Sequence, residues 1–237
     1  MDCLLLRLDA QLMSFGGVLD ESANPTERFP GRSLLTGLLG NAMGWDHRDV
    51  AFLQSLQGRL RHAARWDAEP ELVIDYHTVD FSQSMFQDTG WTTRGKREDR
   101  GGGSASDGTH QRYRHYWANG VCTVAIALAE GGEPSLDTLV RALRVPARPL
   151  FLGRKTCVPA EPLWLARREE PDLRTALQHE PLANIGPRRR PSRVAALWPA
   201  GDGGGSQIVR VDDLRDWHNN LHRGATEYAV GFLEVSK

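Results

Sequence analysis

RFPGRSLLTGLLGNAMG, residues 28–44, joins a basic loop to an amphipathic helix. Its apolar residues recur at helical spacing and are Leu34, Leu35, Leu38, Leu39 and Met43. One face of this helix must be buried, and the fold is expected to be organised around it. Ser33 is the predicted N-cap, because its hydroxyl can accept an unpaired backbone N–H of the first turn.

The glycines of this stretch, Gly37, Gly40 and Gly44, are not explained by the periodicity. An interior glycine costs about 1 kcal/mol relative to alanine in a helix. These glycines predict the close approach of another group, either a sheet or a phosphate near the helix N-terminus. Arg28 and Arg32 would favour such an anion. Packing of the helix on a sheet, with two solvated arginines, is the other interpretation.

The composition is that of a globular protein. The 237 residues are 40% hydrophobic and 25% charged, enough for one elaborated domain or two small ones. No apolar run approaches a membrane span and no signal peptide is recognisable, so a cytoplasmic protein without a membrane partner is expected. The 3 cysteines are widely spaced and lack a CxxC pair, which indicates reduced thiols. Because the net charge is −1, any nucleic-acid surface must be a local patch.

Strands and helices alternate along the chain. The first half predicts strands at 3–8, 72–81 and 121–129, helices beginning at Ser33 and spanning 49–62 and 135–144, and an extended segment at 150–152. This strand–helix–strand–strand–helix–strand order is that of a ferredoxin-like α+β fold. The second half predicts a helix at 171–179 and strands at 194–198, 207–211 and 228–235.

One connection is much longer than that fold requires. Residues 80–119 stand where a short hairpin would suffice, and loops of such length are often functional. The segment interleaves cations with aromatic rings, namely Arg94, Lys96, Arg97, Arg100, Arg112 and Arg114 with Trp91, Tyr113, Tyr116 and Trp117. Single-stranded nucleic acid requires cations for its phosphates and flat rings for its bases, so an RNA-binding arm with a flexible tip at 101–108 is predicted. A solvated charged loop is the alternative.

Two further basic segments have two interpretations each. Gly153, Arg154, Lys155 and Thr156 form a predicted tight turn that either contacts phosphate or is only a β-turn. Residues 188–190 are consecutive arginines between prolines, and a charge run of this kind is usually solvated. Of these two segments, only the turn is included in the predicted RNA-binding surface, through Arg154 and Lys155.

Catalytic patterns are scarce. His218 and His222 are four residues apart, but HNNLH lacks the glutamate of a zinc-binding HExxH. Nucleotide-binding, hydrolase and two-metal nuclease motifs are missing from the sequence, so neither a metal nor a cofactor is predicted. A metal-free ribonuclease that works by general acid and base action stays open. Its proton-transfer candidates are His77, His110 and His115, beside Tyr76, Tyr113 and Lys96.

Four motifs follow one another in a specific order. They are RFPGRSLLTGLLGNAMG at 28–44, DYHTV at 75–79, RHYW at 114–117 and FLGRKTC at 151–157. Together they resemble the CasD family of type I-E CRISPR Cascade subunits, part of the RAMP superfamily. The resemblance implies an α+β fold, a ferredoxin-like (RRM-like) palm with an inserted β-hairpin thumb and an elaborated C-terminal part. The chain is then one domain, 1–237, with the arm 80–119 as thumb and residues 160–237 as elaboration.

The same resemblance implies a non-catalytic RNA-binding subunit of an antiviral surveillance complex. Such a subunit grips the 5′ handle of the CRISPR RNA, caps the backbone of CasC-type subunits and contacts a CasA-type large subunit, so that it meets target DNA only indirectly. The predicted RNA-binding residues are Arg28, Arg32, Ser33, Tyr76, His77, Arg94, Lys96, Arg97, Arg112, Arg114, Tyr116, Arg154 and Lys155. The tract 101–108 enlarges the thumb tip, so no contacts are carried over there. The alternative is an endoribonuclease that processes precursor CRISPR RNA, because a related CRISPR subtype uses this subunit type for that cut.

Overall fold

A long antiparallel sheet with helices on both faces forms the main body of the chain. The computed structural model describes residues 1–18, 23–80, 90–91, 97–98, 109–184 and 191–235. The helices of these residues are α1 (Arg32–Ala42), α2 (Val50–Arg59), α3 (Leu136–Arg144) and α4 (Leu173–His179). The strands are β1 (Asp2–Asp9), β2 (Leu12–Met13), β3 (Ala23–Asn24), β4 (Leu60–Ala68), β5 (Glu71–Asp80), β6 (Gly90–Trp91), β7 (Arg97–Glu98), β8 (Thr109–Ala118), β9 (Val121–Leu128), β10 (Trp164–Glu169), β11 (Arg193–Pro199), β12 (Gln207–Val211), β13 (Arg215–Asp216), β14 (Leu221–His222) and β15 (Thr226–Glu234).

The main sheet has the strand order β10-β1-β9-β4-β11-β15-β12. All of its neighbouring strands pair antiparallel. In chain order, β1, β4, β9 and β10, with α1, α2 and α3 between them, follow the predicted strand–helix–strand–strand–helix–strand order. The fourth strand, however, is β10 and not the segment predicted at 150–152, so that prediction was wrong. The late strands predicted at 194–198, 207–211 and 228–235 are confirmed as β11, β12 and β15, and they extend this sheet. The architecture is therefore α+β.

The second strand of the sheet is not the one that the sequence predicted. The predicted helix at 49–62 ends at Arg59, and β4 begins at Leu60. The strand predicted at 72–81 exists as β5, but it pairs with β8 in a separate sheet. Strand β4 was missed because LRHAARWDA has no β-branched residue and is buried along nearly its whole length, which removes the alternation that marks a half-buried strand.

Strands β5 and β8 form a long hairpin. Their register runs without interruption from Glu71 opposite Ala118 to Asp80 opposite Thr109. On its other side β8 pairs antiparallel with β2 and parallel with β3. The hairpin therefore begins at Glu71, nine residues before the predicted start of the arm. The predicted tip at 101–108, together with Arg100 and the arginines 188–190, lies outside the described residues.

The sheet separates two apolar layers. Strand β1 sends Leu4, Leu6 and Leu8 into one core with α1, α2 and α3, and Cys3 and Leu5 into the other with α4. The predicted apolar face of the first helix is confirmed, since Leu35, Leu38 and Leu39 are buried while Leu34 and Met43 pack against the core partly exposed. The helices predicted at 135–144 and 171–179 are also confirmed, as α3 and α4.

The close neighbour of α1 is another helix. A Cβ built at Gly40 would lie 2.7 Å from Cδ2 of Leu53, a residue of α2. Gly44 follows the end of α1 at φ +83°, the left-handed conformation that commonly terminates helices. Gly40 is thus explained by packing against α2 and Gly44 by the helix end. Gly37 is not explained in this way, because a Cβ there would meet only the Trp217 ring, at an ordinary contact distance of 3.6 Å. Neither the sheet nor a phosphate makes the close approach at Gly40.

A buried ion pair fixes the C-terminal part onto the back of the sheet. Arg65 and Asp67 of β4 are both buried, and Nε of Arg65 lies 2.7 Å from Oδ1 of Asp67. Oδ2 of Asp67 accepts hydrogen bonds from Thr123 Oγ1 at 2.9 Å and from the backbone N–H of Ala183 at 2.8 Å. Arg65 also donates to the carbonyl of Pro181 at 3.1 Å. Because Arg65 and Asp67 bond to each other and to further hydrogen-bond partners, the ion pair is held in one geometry in the low-dielectric interior.

The cysteines lie in the core as free thiols. Cys3, Cys122 and Cys157 are buried and free, as predicted. Burial raises the pKa of Cys3 to about 11 and raises that of Cys122 as well, so neither thiol is a ready nucleophile.

In the described part of the chain, the helices are all too short and too polar to cross a bilayer.

Candidate nucleic-acid interface

The basic loop before α1 is held by aromatic residues. Trp66 Nε1 donates a hydrogen bond to the carbonyl of Arg28 at 3.2 Å. The Arg28 guanidinium lies 5.7 Å from the centre of the Trp66 ring and 5.3 Å from that of Trp117, and it forms an ion pair with Glu69. Trp117 belongs to β8. Arg28 therefore links the loop to strand β4 and to the base of the hairpin.

The N-terminus of α1 is capped from the far end of the chain. Gly31 is the N-cap residue and has no side chain to offer, so the prediction of Ser33 as N-cap was wrong. The backbone N–H of Arg32 donates to Oδ2 of Asp213 at 3.0 Å, and that of Ser33 donates to the Asp213 carbonyl at 2.9 Å. These amides, expected to be open to a phosphate, already have a partner.

The segment predicted to be extended at 150–152 is not a strand, and it leads into a tight turn at 152–157. The backbone N–H of Cys157 donates to the carbonyl of Arg154, and that of Leu152 donates to the carbonyl of Cys157, each at 2.8 Å. The Ser14 N–H donates to the Leu152 carbonyl at 3.1 Å. Gly153 has φ +96°, and a Cβ there would lie 1.6 Å from the carbonyl oxygen of Ser14. Only glycine fits this position.

Arg154 faces inward from that turn. Its guanidinium donates to the carbonyl of His115 at 3.1 Å and to that of Asn24 at 2.9 Å. It also lies 4.5 Å from the centre of the Tyr116 ring. Lys155, the next residue, is exposed. Arg154 thus anchors strands β3 and β8, while Lys155 carries an accessible charge beside them.

The hairpin presents two different faces. Residues directly opposite each other in an antiparallel pair share a face. The first hairpin face consists of Asp75, His77, Arg112 and Arg114, and the second consists of Leu72, Ile74, Tyr76 and Tyr113. The Tyr76 and Tyr113 rings stack with their centres 4.9 Å apart. Because these four side chains of the second face are exposed, the hairpin offers an apolar, aromatic surface on one side and a charged surface on the other.

Two of the proton-transfer candidates, His77 and His115, are not assembled into one site. His77 is partly exposed on the first hairpin face and pairs with the carboxylate of Asp75. His115 lies opposite Ile74, which places it on the other side of the hairpin, and its Nδ1 lies 3.3 Å from the Asn24 carbonyl. The side chain of His110 lies outside the described residues. His77 and His115 therefore cannot act on the same phosphate as an acid and base pair.

The histidines of HNNLH do not share a helix. His218 lies in a turn and His222 in β14. Within the described ranges no three His, Cys, Asp or Glu side chains are grouped so that they could hold a metal ion.

The structure brings some of the predicted residues together and leaves others apart. Arg28, Tyr116, Arg154 and Lys155 gather at the base of the hairpin, whereas Tyr76, His77, Arg112 and Arg114 lie along it and Arg32 and Ser33 begin α1. Arg94 and Lys96 lie outside the described residues, and only the backbone of Arg97 is described, opposite Trp91. Sequence reasoning missed Asn24, Trp66 and Asp213. Of these residues, only Trp66 could have been recognised in the sequence, because it is a large aromatic residue, although it lies outside the four motifs.

Comparison with known proteins identifies the family. A family model described as "CRISPR-associated protein (Cas_Cas5)" matches residues 3–229. The chain is 34% identical to "CRISPR system Cascade subunit CasD" of Escherichia coli (strain K12) over 154 aligned residues. The alignment covers 65% of this chain and 66% of that protein. The match thus spans slightly less than two thirds of the relative.

Solved structures agree in fold. A chain of a "CRISPR RNA-guided surveillance complex" is similar with a TM-score of 0.71 and 25% identity, over 98% of this chain and 90% of that one. A second structure, "Crystal structure of Cas protein", shows the same fold with a TM-score of 0.62 and 24% identity, over 99% and 95% of the two chains. Because the family model extends over nearly the whole sequence, this chain belongs to the CRISPR-associated Cas_Cas5 family.

Proposed function

We propose that this chain is the CasD-type subunit of a cytoplasmic Cascade surveillance complex, and that it grips the 5′ handle of the CRISPR RNA without cutting it. The family match and the similarity to E. coli CasD support a place in such a complex. The strand order around β1, β4, β9 and β10 supports a ferredoxin-like palm, and the β5–β8 hairpin supports a thumb.

One observation carries the RNA-binding part of the proposal. Arg28 and Arg154, from two separate loops, lie against the adjacent aromatic residues Trp117 and Tyr116 of β8. Lys155 is exposed beside them. Tyr116 itself was predicted to bind RNA but is buried, at 4% exposure, so its ring positions Arg154. The partly exposed Trp117 ring and the Lys155 ammonium group are then the parts of this strand base that can stack an unpaired base and hold a phosphate.

The hairpin also supports contacts with neighbouring subunits. Leu72, Ile74 and Tyr76 are each about half exposed, at 51%, 52% and 51%. Apolar side chains aligned on one face of a projecting hairpin are typical of a surface that another protein covers. We assign this second hairpin face to a CasC-type backbone subunit, and the CasA-type large subunit to the same assembly. Target DNA is then met through the complex.

The placement of the described histidines, His77 and His115, favours gripping over cleavage by this pair. A metal-free ribonuclease needs an acid and a base on the same phosphodiester. His77 and His115 lie on opposite faces of the hairpin. The endoribonuclease alternative is therefore the less supported of the two, and the binding experiment includes it as an outcome.

The test measures binding of a synthetic RNA that carries the 5′ handle, over a series of salt concentrations. Lys155→Ala removes one exposed charge from the proposed surface, and Arg48→Ala removes one from the α1–α2 loop, where the Arg48 side chain is 91% exposed. Lys155→Ala should weaken binding and reduce the slope of log K against log salt by about 0.7, the value for one single-strand phosphate contact. Arg48→Ala should change neither. Equal effects of the two changes, or cleavage of the RNA by the wild-type chain, would overturn the proposal.

A further inference from the structure

A buried carboxylate joins the C-terminal part to the start of α1. Asp213 is only 3% exposed. Its Oδ1 accepts a hydrogen bond from Thr226 Oγ1 at 2.7 Å, and its Oδ2 accepts one from Tyr228 Oη at 2.7 Å and one from the Arg32 N–H at 3.0 Å. The Asp213 carbonyl accepts from the Ser33 N–H at 2.9 Å. The carboxylate is thus held between β15 and the first turn of α1.

The glycine of the PGRS sequence is explained by this contact. A Cβ built at Gly31 would lie 2.9 Å from the Cβ of Asp213, closer than side-chain carbons approach one another. The φ of Gly31 is −85°, which any residue can adopt, so the requirement for glycine is one of space. Gly31 lets the Asp213 carboxylate reach the helix amides.

The residue before Gly31 is held by the same cluster. His62 Nε2 lies 2.8 Å from the carbonyl of Pro30, and His62 Nδ1 lies 3.3 Å from Tyr228 Oη. Burial lowers the pKa of His62 and raises that of Tyr228, so both rings stay neutral at pH 7. The basic loop therefore ends in Pro30, Gly31 and Arg32, three successive residues that all contact this cluster.

A negative charge at a helix N-terminus is stabilised by the free amides and by the helix dipole. An RNA phosphate would be stabilised there in the same way, but Asp213 occupies the position. We propose that Asp213 is a positioning residue for RNA recognition: it fills the anion site of α1 and thereby sets the loop that carries Arg28 and Arg32. This inference rests on the proposed function. It assigns the phosphate contacts of the loop to the side chains of the loop and not to the backbone amides of α1, which Asp213 occupies.

The test compares Asp213→Ala, Asp213→Asn and a matched control in handle RNA binding, at a temperature where circular dichroism shows all of them folded. The control is Asp172→Ala, because Asp172 also caps a helix of the C-terminal part, accepting from the Thr175 N–H at 2.6 Å. Each change removes one negative charge, and that alone would favour RNA. Asp213→Ala should nevertheless weaken binding several-fold, because the loop that carries Arg28 and Arg32 is no longer held in one position before RNA binds. Asp172→Ala should not weaken it.

Asp213→Asn separates position from charge. It has the same net charge as Asp213→Ala but keeps an oxygen for the Arg32 amide, so it should restore most of the affinity. Wild-type affinity in a folded Asp213→Ala variant would overturn the inference, and so would Asp213→Asn and Asp213→Ala being equally weak. If Asp213→Ala does not fold, Thr226→Val decides, because it removes a single donor to Oδ1 and must still weaken binding. Failure of the wild-type chain to bind the handle would instead refute the proposed function.

Discussion

The Arg154 guanidinium lies 4.5 Å from the centre of the Tyr116 ring, with hydrogen bonds to backbone carbonyls on two strands beside it. A residue predicted to contact phosphate is thus first of all an anchor for the hairpin. Its neighbour Lys155 has no such restraint in the described structure and is exposed. The two cations of one turn can therefore be distinguished by experiment.

Arg154→Ala should loosen the base of the hairpin. It removes two hydrogen bonds from a charged donor, which are worth about 2 kcal/mol or more together. Amide hydrogen exchange of residues 113–118 should accelerate in this variant and stay unchanged in Lys155→Ala. Equal protection of β8 in both variants would show that the anchor is unimportant.

Gly153→Ala should destabilise the fold by at least about 2 kcal/mol, because it combines a positive φ with a clash against backbone. The new Cβ would lie 1.6 Å from the Ser14 carbonyl oxygen. Gly58→Ala is the matched control, since Gly58 lies in α2 with nothing within 4 Å of the added Cβ. That change should stabilise by up to about 1 kcal/mol. Chemical denaturation measures both, and a neutral Gly153→Ala would refute the contact.

The buried His62 should make stability depend on pH. Burial lowers its pKa to about 4 from an ordinary value of 6.5. Between these values the unfolded chain binds a proton that the folded chain does not, so the free energy of unfolding should fall as the pH falls from 6.5 towards 4, by up to about 3 kcal/mol.

His62→Gln keeps a donor for the Pro30 carbonyl but does not titrate. Its denaturation midpoints at pH 7, 6 and 5 should therefore vary less than those of the wild type. Parallel pH profiles of the two proteins would assign the pH dependence to other groups.

Arg114→Ala should weaken binding of handle RNA. Arg114 is exposed on the first hairpin face, where its planar guanidinium can stack on an unpaired base and reach a phosphate. By analogy with aromatic platforms, the loss should be about 1 to 3 kcal/mol per stacked base. Arg210→Ala, at an exposed arginine of the edge strand β12, is the control for loss of charge and should have a much smaller effect.

The histidine variants separate gripping from cutting. His77→Ala, His110→Ala and His115→Ala should leave RNA processing by the whole CRISPR system intact, since no step is assigned to these residues. Incubation of the isolated wild-type chain with precursor RNA and a chelator should give no product on a denaturing gel. Cleavage that one of these substitutions abolishes would promote the endoribonuclease alternative.

Much of the fold was readable from local pattern. The apolar spacing of Leu35, Leu38 and Leu39 predicted α1, and Ser135 marked the start of α3, where its hydroxyl accepts from the Thr138 N–H at 3.2 Å. Strand β4 was not readable. Residues such as Ala63 and Ala64 have no β preference, and only the flanking strands β9 and β11 make them a strand.

Part of the candidate site could also be predicted from local pattern. The short motifs RHYW and FLGRKTC pointed to Tyr116 and Arg154, which lie against each other in the structure. The cap of α1 was invisible, because Asp213 is 181 residues from Arg32 and nothing in its neighbourhood marks it as a cap.

The most direct test of the central claim is the identity of the RNA that copurifies with this chain. The chain would carry an affinity tag and be expressed with its neighbouring subunits and a CRISPR array, and the bound RNA would be sequenced to its 5′ end. We expect mature CRISPR RNA with an intact 5′ handle, retained by the wild type and reduced when Arg114 or Asp213 is replaced by alanine. An assembled complex that retains its RNA equally without these side chains, or a tagged chain that brings down no CRISPR RNA, would contradict the central claim.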